Sequence, residues 1–100
     1  MLPIIKVPRD DLVSVGASSV EVSPETNTQR NVIVITNTST GGQIITLAFG
    51  KEAASGKGIV LYPTGAWAES VDSAFRPSNA RITAIADGAG GQITIHERVE

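Results

Sequence analysis

Apolar residues recur at every second position along most of this chain, and β-branched side chains carry the repeat. Val13 and Val15, then Val20 and Val22, form two short alternating pieces on either side of Gly16-Ala17-Ser18, where a turn is expected. Asn31-Val32-Ile33-Val34-Ile35-Thr36 is apolar on both faces, the pattern of a central strand covered from two sides. Residues 44–49, 59–62, 66–71, 81–86 and 92–96 continue the series. Polar, turn-forming stretches separate them: 23–30, 51–58 with a single helical turn expected over 52–54, and 72–79. No segment shows a helical stripe. The pattern predicts an all-β fold, a small antiparallel β-sandwich or barrel of six to eight short strands, with a jelly roll as one topology that fits.

A second regularity is an echo. Gly41-Gly42-Gln43-Ile44-Ile45-Thr46-Leu47 returns as Gly90-Gly91-Gln92-Ile93-Thr94-Ile95-His96, at an offset of 49 residues that also places Ile33 on Ile82. Each copy reads as strand, glycine turn, strand, and therefore as a β-hairpin. Similar turns on similar strands produce such an echo as a folding device. Duplication, or a pair of binding loops, is the competing explanation.

The ends differ from the middle. In Met1-Leu2-Pro3-Ile4-Ile5-Lys6-Val7-Pro8 the two prolines punctuate an apolar run, which favours an extended segment over a helix or a central strand. Residues 1–12 are expected to form an extended N-terminal arm and residues 13–100 a single sandwich domain. The arm lacks the long apolar region and small-residue cleavage site of a secretory signal. No apolar run approaches the roughly 20 residues of a membrane-spanning helix.

Composition narrows the chemistry. Only four residues are aromatic, so the core must rest on Ile, Val, Leu and Ala. Eight Lys and Arg stand against ten Asp and Glu with no basic stripe, which argues against a nucleic-acid partner. Cysteine is absent, removing disulfides, thiolate nucleophiles and Cys-based zinc sites. His96 is the only histidine, and its neighbour Glu97 points to the opposite face of a strand, so the two cannot form a local acid/base pair. No nucleophile elbow is present, and residues 50–57 imitate a phosphate-binding loop with the wrong glycine spacing. The reading is a non-enzyme without cofactor or metal. Trp67 and Tyr62 bracket the Pro63 turn; they are read either as packing residues or, with the loop 75–79, as a surface for a sugar.

The blocks Arg30-Asn31-Val32-Ile33-Val34-Ile35-Thr36-Asn37-Thr38-Ser39, Ile45-Thr46-Leu47-Ala48-Phe49-Gly50, Gly56-Lys57-Gly58-Ile59-Val60-Leu61-Tyr62-Pro63, Ile82-Thr83-Ala84-Ile85-Ala86 and Ile93-Thr94-Ile95-His96-Glu97 resemble the small β-sandwich accessory proteins of tailed bacteriophages, of the capsid decoration, cement or head-fibre type. The resemblance implies a structural virion protein, made in the host cytoplasm, that binds the major capsid protein on the outer surface of the head and bridges coat subunits. It also implies a homo-oligomer, a trimer being favoured, with no membrane or nucleic-acid partner. Ile4, Ile5 and Val7 of the arm are the partner-binding residues expected on this reading. The alternative is a carbohydrate-binding or host-adhesion module that uses Tyr62 and Trp67.

Overall fold

A computed structural model describes residues 8–72 and 75–99. Among these there are eight strands and no helix: β1 (Arg9–Val15), β2 (Val20–Ser23), β3 (Arg30–Asn37), β4 (Ile45–Phe49), β5 (Ile59–Leu61), β6 (Ala66–Ser70), β7 (Ile82–Ala86) and β8 (Gly91–Val99). They form two sheets, ordered β1-β8-β3-β6 and β2-β7-β4-β5, antiparallel throughout. The pairs are nested: β4 with β5 innermost, then β3 with β6, β2 with β7 and β1 with β8, alternating between the sheets. This is jelly-roll topology. The segment 51–58 contains no helical turn; instead Ala54 and Lys57 bridge each other across a tight loop.

The two expected hairpins are not formed. β3 and β4 lie in different sheets, as do β7 and β8, so both glycine links are corners. The reason is burial: Ile33 and Ile35 of β3 and Ile45 and Leu47 of β4 are all inaccessible to solvent. Facing sheets bury both sets at once. Val15, Ile93 and Ile95 join from the first sheet, and Val22, Leu61, Ile82, Ala84 and Ala86 from the second. Each buried aliphatic side chain of this size contributes about 1.5–3 kcal/mol. As expected, β3 is a central strand, paired on both sides; it is not covered on both faces, since Val32, Val34 and Thr36 on its outer face are only half-buried.

The echo resolves into a clasp between the two corners. Gln43 Nε2 donates to the Ala89 carbonyl of the second corner at 2.8 Å, and Gln92 Nε2 donates to the Thr38 carbonyl of the first at 3.0 Å. The strands that follow do not face alike. β4 sends Ile45 and Leu47 into the core, whereas β8 sends Ile93 and Ile95, which stand one residue earlier in the echo. A one-residue slip exchanges the faces of a strand. The echo thus serves the corners.

One end of the sandwich is closed by a buried ion pair. A bulge between Glu21 and Ser23 in β2 and another between Arg30 and Val32 in β3 break the alternation, so that Ser23 and Arg30 are buried beside the regular inward residues. All five N–H groups of Arg30 find acceptors. Nε meets Glu97 Oε2 at 2.6 Å, Nη1 the carbonyls of Ser78 and Ala80, and Nη2 Ser23 Oγ and the Pro24 carbonyl. Ser23 Oγ in turn donates to Glu97 Oε2 at 2.9 Å. Arg9 Nε stands 3.3 Å from Glu97 Oε1 without the direction of a hydrogen bond.

The outer faces of the two sheets differ. On the second sheet, loop 50–58 covers β4 and β7: Gly56 N–H donates to Thr46 Oγ1, Thr83 Oγ1 donates to the Lys51 carbonyl at 2.6 Å, and Ala53 is buried. Gly58, at φ 149°, makes this approach possible, because a Cβ there would stand 2.2 Å from the Leu47 carbonyl oxygen. Gly58→Ala is expected to cost about 1–3 kcal/mol through the overpacking it forces. A fall in urea midpoint with an unchanged slope is the result to look for; an unchanged midpoint would show that the loop does not hold this approach. Among the described residues, no comparable loop covers the outer face of the first sheet. Near the start of loop 50–58 Glu52 pairs with Arg81 at 3.3 Å, and the hydroxyl of Ser19, with Arg81, holds the Glu52 carboxyl below its usual range.

Candidate functional site

Residues 9–12, expected in the arm, are instead paired with β8 as part of the first sheet. Ile4, Ile5 and Val7 lie outside the described residues. The first strand of the described residues, β1, is an edge strand whose other side has no strand neighbour among them.

The outer face of the first sheet is built from alternate residues of its four strands. Leu12 of β1 lies opposite Thr94 of β8, which lies opposite Thr36 of β3, which lies opposite Ala66 of β6. Val34 and Ala68 form the next row with His96. The centre of this face is uncharged and small, and Leu12 at its margin is 65% exposed. A shallow groove of about 160 Å³ runs across it, lined by Asp10, Asp11, Val34, Thr36, Thr94 and His96.

His96 does have a carboxylate partner, from a strand 86 residues away. Its Nδ1 stands 2.6 Å from Asp10 Oδ1, and Arg98 Nε donates to its Nε2 at 3.0 Å. Arg98 is always a donor, so Nε2 must accept, and the proton is assigned to Nδ1, facing Asp10. Both ring nitrogens are engaged, which leaves no free lone pair for a general base. The pairing follows from the register, since Asp10 sits directly opposite His96.

Trp67 and Tyr62 part company. Pro63 and Thr64 turn the chain between β5 and β6, with Gly65 N–H donating to the Tyr62 carbonyl at 2.7 Å, and Tyr62 is left 64% exposed. Trp67 packs on the core instead, edge to face with Phe49, with ring centroids 5.1 Å apart and planes at 67°. Around these two rings a cleft of about 370 Å³ opens where β5 of one sheet and β6 of the other diverge. Its walls are Phe49, Ile59, Trp67 and Glu69, and the loop after β6 adds Phe75, Arg76 and Ser78. Trp67 and the 75–79 loop, paired in the sequence reading, do share this cleft; Tyr62 is not among its lining residues. Phe49, Ile59 and Glu69 were not foreseen. Glu69 was within reach, because it lies two residues from Trp67 and hence on the same face of β6.

The sequence matches no known protein family, and no curated protein matches it significantly. Among solved structures, the chain is similar to a crystal structure of PirA, with a TM-score of 0.50 and 24% identity over 90% of this chain and 92% of that one. It also aligns with a solution NMR structure of a de novo designed double-stranded β-helix, with a TM-score of 0.42 and 16% identity over 95% of this chain and 100% of that one. The likeness to PirA is one of fold.

Proposed function

We propose that this chain is a non-enzymatic structural protein of a phage virion, attaching to the outer surface of the assembled head and bridging its coat subunits. The observation that supports this reading is the asymmetry of the sandwich. Among the described residues, one sheet is covered by loop 50–58, while the outer face of the other carries no such loop and sets the exposed Leu12 of the edge strand β1 beside Thr94, Thr36 and Val34. A small, uncharged centre of Thr94, Thr36, Val34 and Ala68, next to an exposed leucine and the Asp10–His96–Arg98 chain of polar contacts, is the mixed anatomy of a protein-binding face. The major capsid protein is the partner, and a trimer of this chain at three-fold positions is the matching assembly, with Ile4, Ile5 and Val7 completing the contact.

Density-gradient sedimentation of heads mixed with purified chain tests it. The chain is expected to travel with intact heads, and Leu12→Glu to weaken attachment by about tenfold or more, the effect of losing an apolar anchor. Because Leu12 is exposed, its replacement should leave the melting temperature nearly unchanged. A chain that stays at the top of the gradient, separate from the heads, overturns the proposal.

A further inference from the structure

We infer that the cleft between β5 and β6 is a carbohydrate site that takes one neutral pyranose ring, independently of whether the chain coats a phage head. The first support is its wall. Three of the four aromatic residues in the whole chain, Phe49, Trp67 and Phe75, line this single opening. Phe49 and Trp67 pack against the aliphatic core while still lining the opening, and Phe75, not part of that core, remains 40% exposed beside them. Aromatic faces carry negative charge density, and the C–H bonds on one side of a sugar ring present the complementary positive edge.

The second support is the polar content. Glu69 supplies acceptors, Arg76 supplies donors, and Ser78 supplies both. The two charges cancel, so the cleft has no preference for a phosphate or a cation. A purely apolar ligand would leave both charged groups unserved, whereas a polyol uses donors and acceptors together. The volume of about 370 Å³ also lies at the low end of the roughly 300–1,000 Å³ typical of small-molecule sites.

The third support is preorganisation. Phe49 fixes the tilt of Trp67. The loop carrying Phe75 to Ser78 is tied at both ends: Phe75 N–H donates to Asp72 Oδ1 at 2.8 Å, Gln29 Nε2 to the Pro77 carbonyl at 3.2 Å, and Arg30 Nη1 to the Ser78 carbonyl at 2.6 Å. A wall already ordered spares the ligand the cost of ordering it.

Trp67 is the only tryptophan, so its emission reports on this cleft alone. Titrating the full chain with glucose, galactose, mannose, N-acetylglucosamine and their disaccharides should give a saturable change with at least one of them, at millimolar concentrations or below. Glu69→Gln is expected to weaken that sugar about tenfold, the loss of a hydrogen bond to a charged acceptor. Phe75→Ala should weaken it by a similar factor, and Tyr62→Ala should leave it unchanged. Both cleft variants alter residues that reach solvent, and an unchanged thermal melt confirms that they fold. No saturable change with any sugar overturns the inference, as does binding that survives both Glu69→Gln and Phe75→Ala undiminished.

Discussion

Arg30→Ala is expected to remove about 3–5 kcal/mol of folding stability, the usual effect of deleting one partner of a buried ion pair. Domains of this size have only about 5–15 kcal/mol in total. The loss has two parts. Glu97, 7% exposed, would be left with only the misdirected Arg9 and one serine hydroxyl beside it. The carbonyls of Pro24, Ser78 and Ala80 would each lose a donor. Urea unfolding at neutral pH measures the sum. Arg30→Lys should fall between, since one ammonium cannot serve acceptors spread over five directions. Arg30→Met combined with Glu97→Leu should be less damaging than Arg30→Ala alone, because no unpaired charge remains. A loss below about 1 kcal/mol for Arg30→Ala would mean that the network is not a clamp.

Asn37→Ala is expected to cost about 3 kcal/mol, since each buried polar group left without a partner costs roughly 1–3 kcal/mol. The side chain is fully buried on β3, yet its bonds leave that strand. Nδ2 donates to the carbonyls of Gln43 and Leu61, both at 2.8 Å, and Oδ1 accepts from Ser39 N–H at 3.0 Å. The Leu61 bond crosses from one sheet to the other. Asn37→Asp gives a sharper test. The new carboxylate would face two carbonyl oxygens, which disfavours its charged form and raises its folded-state pKa. Such a group destabilises as pH rises through the unfolded carboxylate value, so this variant should be firmer in mild acid than at neutrality, by chemical denaturation at both pH values. Equal stability at the two would show that Asn37 does not point as described.

The strands were legible because alternation is a local signal. β3 announced itself as a central strand through its two apolar faces. Which sheet a strand joins is not local, and the glycine links misled on that point: a short polar turn permits a hairpin or a corner, and only the facing isoleucines decide. Arg30 sat in what reads as a polar connection, and charged residues are almost never fully buried unless paired. Its partner Glu97 is 67 residues away, and the two bulges that aim Arg30 and Ser23 inward leave no mark in the sequence. Asp10 and His96 were separately visible, but only the β1–β8 register joins them. Of the cleft, Trp67 and the 75–79 loop could be read as a pair, whereas Phe49 belongs to the other sheet and needs the topology.

The nested strand order carries a kinetic consequence. Only β4 and β5 are both paired and consecutive in the chain; every other ladder joins strands with at least two others between them. High contact order of this kind places folding on the millisecond-to-second scale, with loop closure preceding any reward. The innermost hairpin is the one element that can form early, whereas β1, among the described residues, pairs only with β8, from which six strands separate it along the chain. β1 is therefore sheltered only after β8 has been made, and the valines and isoleucines of the strands before it spend that interval exposed to whatever else is nearby.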